Sequence, residues 1–448
     1  MKTFLFNICT IPFVAFLLTG ALYAQPTIIK LSAADSSASF RVLNSSSTTL
    51  LRLNDDAGFY YGGTYATGVI PTTGAGVRLM WYPAKAAFRA GRATSTQWDD
   101  ANVGVYSTAM GYGTTASGYY STAMGCTTMA SEAYSTAMGF GTTASGGFST
   151  AMGQNTTASG YASTTMGRND TASGYYSTAM GYGTTASGYY STAMGYGTTA
   201  SGYYASTAMG YGTTASGSYS TAMGRSTTAS GSYSTAMGYS TTASGDHSTA
   251  MGAYVSTDNL EGSFIVGDNY APVTTNSTAG RQMTMRFSGG YRLFTNSATT
   301  LGVSLSANGS SWATISDSAK KTNFLKADGD YFLKSLAKLK IGSWNYKVQD
   351  AGVYRHYGPM AQEIFHYFGK DTYGTIGNDT TLATADMDGI MMICLQALEK
   401  RTAELQKANI EIAEMKKTDS EMQKRMERLE NIIASMTKDN DKQITSSK

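Results

Sequence analysis

Ser316 and Lys321 are the residues of this chain whose types and spacing could do covalent chemistry. A serine hydroxyl is a weak nucleophile until a base takes its proton, and a desolvated lysine, neutral near working pH, can be that base. A turn over the intervening residues would bring the two together as an acyl-transfer dyad. The same spacing also fits a solvated turn with no chemistry. Little else in the 448 residues invites catalysis. His356 and His366 have no paired acid at a recognisable spacing and read as structural. Cys9, Cys126 and Cys394 make neither a zinc spacing nor a disulfide framework, so no metal and no cofactor is expected.

The residues downstream narrow the choice. Asp317 follows Ser316 directly, and Asn323 lies two residues past Lys321. Tyr357-Gly-Pro-Met-Ala-Gln-Glu-Ile364 comes later, Asp386-Met-Asp388 opens a helical pattern, and the stretch from Leu395 runs into a coiled coil. That order resembles the endosialidase-type intramolecular chaperone domain of phage tail spikes and other trimeric fibres, over Ser316 to roughly Met436. The resemblance implies a domain that trimerises its chains, assists folding of the upstream β-structure and cuts itself off. It would act once, as a serine endopeptidase on its own chain, with no external substrate. Ser316 is then the nucleophile, Lys321 the general base and Ile315–Ser316 the scissile bond, with Asp317 and Asn323 structural or orienting. Gln362 and Glu363 also fall on motif positions, where helix-surface and capping roles compete with a catalytic one. The family often has a basic residue three places after the serine; here that place is Ala319, with Lys320 beside it.

A helix must follow to hold such a domain together. Met391, Leu398, Leu405, Ile412, Met426 and Ile433 share one heptad position. Cys394, Ala408, Met415, Met422, Leu429 and Met436 share the other, with Asp419 and Arg401 as polar exceptions. The pattern reads as a Met-rich coiled coil; an amphipathic helix packed on its own domain is the alternative.

Upstream, a fourteen-residue phrase, in its fullest form STAMGYGTTASGYY, recurs from Tyr106 to about Gly252. Its Met-Gly pairs run from Met110 to Met251 at constant spacing, broken once by the inserted Ala205. A short fixed period means one unit stacked on copies of itself. Gly in each half-repeat, beside β-branched Thr, argues against helix and for short strands joined by tight turns. Alternation puts Thr and Met of Ser-Thr-Ala-Met-Gly on one face and Ser and Ala on the other, and Met is expected to fill the narrow interior while Gly supplies the positive φ of the turns. At about 4.8 Å per coil the segment would be roughly 50 Å long. The repeat resembles the left-handed β-roll head repeat of trimeric autotransporter adhesins, with Thr108 and Met110 in its two apolar places.

The expected fold is therefore mainly β with an α+β C-terminal domain: a trimeric left-handed parallel β-roll of fourteen-residue coils, then a small chaperone domain ending in a long coiled-coil helix. Residues 1–24 read as a signal peptide, with Lys2, an apolar run through Leu18 and Ala24 before Gln25. Residues 25–105 read as a β-rich module, 106–267 as head repeats and 268–315 as a β-rich connector. The chaperone domain then takes 316–390, the coiled coil 391–437 and a disordered tail 438–448. After signal removal no membrane span is expected, and the product would be secreted, extracellular or held at a cell surface.

The net charge is +3, and between Tyr106 and Gly252 the only charged residues are Glu132, Arg168, Asp170, Arg225 and Asp246. Such a surface offers no footprint for nucleic acid. Its partners are expected to be copies of itself and, beyond them, a glycan or other surface ligand. Tyr106, Tyr120, Tyr134, Phe148, Tyr176, Tyr190, Tyr219 and Tyr233 form a column that could stack on sugars or seal a trimer. Two further readings stand beside the self-cleaving fibre: a polysaccharide-binding or -degrading tail-spike-like protein, and an uncleaved structural fibre. Hydrolysis of glycans would need clustered carboxylates, which the repeats lack.

Overall fold

The computed structural model describes residues 39–43, 49–54, 59–270 and 272–445, which form two compact units dividing after Ser288. The expected signal peptide lies outside the described residues.

The first unit begins with an antiparallel sheet of β1 (Ser39–Leu43), β2 (Thr49–Asn54) and β3 (Phe59–Tyr61). β4 (Gly76–Tyr82) and β5 (Ala87–Ala93) then form an antiparallel hairpin, and β5 pairs in parallel with the first repeat strand, Thr108–Tyr112. From there each fourteen-residue coil lays down a five-residue strand, such as Thr136–Phe140, and a two-residue strand, such as Thr143–Ala144. The longer strands stack into a sheet that is 15-stranded with its terminal members, and the shorter ones into a 12-stranded sheet. Like lies on like: Thr136 on Thr150, Ala137 on Ala151, Met138 on Met152, Gly139 on Gly153. This is a parallel β-solenoid, mainly β as its sequence implies.

Its filling differs from the expectation. The alternation holds, but the Met face points outward: Ala137, Ala144, Ser135 and Thr142 are fully buried, whereas Thr136 and Met138 are partly exposed. Two sheets joined by turns this tight leave no room between them for a thioether. Alanine lets the layers close, and an interior hydroxyl can find a carbonyl in its own turn, as Ser121 Oγ does by donating to Gly118 O at 2.7 Å.

Glycine supplies left-handed turns as expected, with φ of 60° at Gly113 and 63° at Gly141, and serves the stacking as well. At Gly111 φ is 121°, and a Cβ would run into the carbonyl oxygen of Gly125 in the next coil, so close stacking requires the residue. In the Gly-Tyr-Tyr turn, however, the left-handed position falls on the aromatic, with φ of 56° at Tyr120 and 57° at Tyr176.

Larger side chains close the ends of the solenoid. Trp98 and Arg89 are fully buried at the first coils, Trp98 Nε1 donating to Thr114 O at 2.8 Å. At the last, Ile265 replaces alanine and Val255 stands where the preceding coil has the buried Thr241. An array needs such caps because its terminal units have no further copy to stack on.

The second unit starts with the antiparallel strands Gly290–Phe294, Gly302–Ser306 and Ala313–Thr314. A single 3-10 turn, Ser318–Lys320, leads to α1 (Gly329–Leu336), the paired strands Gly342–Trp344 and His356–Gly358, α2 (Ala361–Phe368) and α3 (Thr384–Thr445). Phe368, Ile390 and Cys394 form its buried core, packed by Phe332, Leu333 and Ile364. Asp328 caps α1 by accepting from Asp330 N and Tyr331 N. α3 starts ahead of the expected residue 391 and stays helical to Thr445, through most of the expected tail from 438.

Candidate functional site

The 3-10 turn is what brings Ser316 and Lys321 together. Asp317 is its N-cap, the side chain accepting from Ala319 N at 2.9 Å while Asp317 O accepts from Lys320 N at 3.0 Å. Lys321 N donates to Ser318 O at 3.2 Å, and the lysine side chain folds back so that Nζ donates to Ser316 Oγ at 2.7 Å. Both side chains are exposed. Ala319 gives the turn a backbone donor and no charge of its own.

Asn323, two residues past the turn's C-cap Lys321, takes a left-handed φ of 57°, a conformation its short amide tolerates better than most side chains. Glu363, in the first turn of α2, accepts from Lys340 N at 3.0 Å. Gln362 is exposed on the same helix, and among the described residues neither it nor Glu363 hydrogen-bonds to Ser316 or Lys321. His356 Nε2 lies 3.1 Å from Gln349 Oε1, and the ring packs on Trp344. The arrangement is a hydroxyl and an amine in contact on a short capped turn, immediately after the Ile315–Ser316 bond.

Along α3, Ile390 and Cys394 are buried against α1 and α2, and Arg401 leaves the heptad seam to pair with Asp330 at 3.1 Å. Beyond it the apolar seam has no cover among the described residues: Leu405 is 61% exposed and Met415 62%. Among the described residues no helix is long and apolar enough to cross a membrane.

On the solenoid, the aromatic column is a ladder built within one chain. Tyr120 and Tyr134 stack with centroids 5.1 Å apart, Tyr134 and Phe148 at 4.7 Å, and Tyr176 and Tyr190 at 5.0 Å. Neighbouring rungs therefore cover the ring faces on which sugars would stack. Ala162 and Ala205 interrupt it in the same left-handed position. A second row, formed by the residue after each Met-Gly, escapes a reading centred on the Met-Gly pairs; reading down the fourteen-residue phase at that position shows Arg168 and Arg225 flanking Tyr182, Tyr196 and Tyr211.

Comparison with known families finds two matches. The YadA head domain repeat (two copies) matches residues 103–125, 130–156, 144–169, 172–198, 186–206, 200–227 and 229–254. The chaperone of endosialidase matches residues 316–370. No curated protein matches the chain. The chain thus joins adhesin-type head repeats to an endosialidase-type chaperone segment, the organisation of an adhesin- or tail-fibre-like protein.

Proposed function

We propose that the chain forms a secreted, homotrimeric surface fibre whose C-terminal segment aligns three copies, assists their folding and then removes itself by cleavage at Ile315–Ser316. The observation that carries the cleavage reading is the 2.7 Å contact between Lys321 Nζ and Ser316 Oγ, inside the segment matched to the chaperone of endosialidase. The exposed seam of α3 supports association, since an apolar stripe without cover in its own chain is what a coiled-coil partner buries.

The chemistry balances with these residues and water. Lys321, as the neutral amine, takes the proton of Ser316 Oγ, and the oxygen attacks the Ile315 carbonyl carbon. The bond from that carbon to the Ser316 nitrogen breaks, and Lys321 returns the proton to the departing amine. Water then hydrolyses the ester, leaving a free carboxylate on Ile315 and a fragment that begins at Ser316. Excluding water favours a neutral amine over an ammonium. Because both side chains are exposed in the single chain, closure of neighbouring chains over this turn is the step that arms the dyad.

The test is expression of the full chain followed by mass measurement and N-terminal sequencing. A product starting at Ser316 is expected from the wild type, and Ser316→Ala or Lys321→Ala should leave the chain full length, slowing cleavage by about a thousandfold or more. Full-length wild-type protein after prolonged folding, or undiminished cleavage in Lys321→Ala, would overturn the dyad.

A further inference from the structure

Between Gly91 and Gly267 the cationic side chains are Arg92, Arg168 and Arg225, and all three are exposed. The parallel register puts them in one row. Arg92 pairs with Tyr112, and the same strand position continues through Gln154 to Arg168. From Arg168 it runs through Tyr182, Tyr196 and Tyr211 to Arg225. No acid stands in this row. Among the described residues none of the three arginines has an ion pair. The nearby acids are engaged elsewhere: Asp170 is buried and accepts from Thr184 and Gly181, and Asp246 accepts from Ser232 N.

The row is also stiff. Tyr182, Tyr196 and Tyr211 stack with interplanar angles of 4° and centroids 5.1 and 4.9 Å apart. Arg168 caps this stack over Tyr182 at 5.4 Å, and Arg225 caps its other end over Tyr211 at 5.6 Å. A guanidinium that stacks by its face keeps its in-plane N–H fork free for an anion. The rings cover one another's faces, so the phenol hydroxyls and ring edges are what they present outward.

We propose that this row binds a linear acidic polysaccharide, the arginines holding its anionic groups and the tyrosine hydroxyls its sugar hydroxyls. The inference rests on the reading of the solenoid as a displayed fibre. Spacing favours this ligand over nucleic acid. Arg92 and Arg168 are five strands apart and Arg168 and Arg225 four, which at about 4.8 Å per strand is ~24 and ~19 Å. Duplex DNA carries a charge every ~1.7 Å of axis, far denser than these cations can match. A polysaccharide offers hydroxyls throughout and charges at intervals.

The test is binding of the purified protein expressed from the full chain to immobilised polygalacturonate, with dextran as neutral control and duplex DNA as a denser polyanion, at low and high salt. Retention on polygalacturonate but not dextran is expected. The triple variant R92Q/R168Q/R225Q should weaken it about tenfold or more and flatten its salt dependence. Tyr196→Ala should weaken it severalfold. Glutamine already occupies this row at Gln154, so the exchanges suit the strand, and an unchanged circular dichroism spectrum checks the fold. Equal binding by the triple variant, equal retention on dextran, preference for DNA, or no retention on polygalacturonate would each overturn the proposal. Light scattering and N-terminal sequencing of the same samples separate the two readings. A trimeric, cleaved protein that ignores polygalacturonate overturns this inference alone, and an uncleaved monomer that binds through the arginines overturns the fibre alone.

Discussion

Arg89 is a cation closed off from solvent, and no carboxylate pairs with it among the described residues. Burial pushes its guanidinium down to about 10, which leaves it charged at neutral pH. It is solvated instead by oxygens of the first coils: Nη1 donates to Phe88 O and Ser107 O at 2.8 and 2.9 Å, and Nη2 to Ser107 Oγ and Ala116 O at 2.8 and 3.0 Å. Two of those carbonyls do not depend on it, since Ser107 O also accepts from Phe88 N and Ala116 O from Gly104 N. The residue therefore acts chiefly as a plug of the right volume. Replacing a buried charge with an apolar side chain of similar size is often neutral or stabilising, so Arg89→Met is expected to leave the denaturation midpoint unchanged or higher. Arg89→Ala leaves a hole and should cost about 2–4 kcal/mol. A loss for the methionine variant as large as for alanine would show that the charge itself holds the end. The left-handed tyrosines show a similar balance at this scale. Backbone strain of about 1–2 kcal/mol is partly offset by a stacking gain of about 0.5–1.5 kcal/mol, and Ala162 and Ala205 carry the same left-handed backbone without that gain.

For the individual element, period and side-chain alternation were legible in the repeat, and the choice of inward face was not. Alternation makes two faces equivalent until the width of the coil is known. That width is set by the two-residue strand and tight turns, which admit Ala144 but not Met138. The dyad is similar: the types and spacing of Ser316 and Lys321 suggested a contact, but only the turn capped by Asp317 brings the two atoms within 2.7 Å. Arg401 read as a flaw in a seam because its partner, Asp330, lies on α1, far away in sequence. Past that point the seam of α3 is a face awaiting cover. Leu405→Glu combined with Ile412→Glu puts two charges on it at places exposed in the single chain, at 61% and 44%, so the chain's own core loses nothing. Each apolar seam residue buried on association contributes roughly 1.5–3 kcal/mol. Light scattering should therefore find monomer where a trimer is expected of the wild type, with the helical signal of α1 and α2 retained. A trimer that survives both charges would mean that the chains associate elsewhere.

Across the molecule, regularity creates a difficulty that the C-terminal segment is suited to solve. Coil stacks on coil with Thr on Thr and Met on Met throughout, so a chain displaced against its neighbour by one coil meets almost the same surface. Ala205, the scattered charged rungs, a few substitutions such as Cys126, Met129 and Thr165, and the two capped ends mark position. Parallel β pairing is slow to form and exposes edges meanwhile, which lengthens the time during which misaligned chains can stick. Joining three helices along the seam of α3, as proposed, would set the alignment once, before the repeats close. After cleavage the aligned fibre would keep its slow unfolding but lose its route back, a kinetic rather than an equilibrium stability. The consequence is measurable by unfolding and diluting two proteins side by side: the matured fragment ending at Ile315, and full-length Ser316→Ala. The full-length variant is expected to regain trimer in good yield, whereas the fragment should return mostly as monomer and aggregate. Equal recovery from both would mean that the repeats find their register unaided, and would remove the need for a chaperone at the end of this chain.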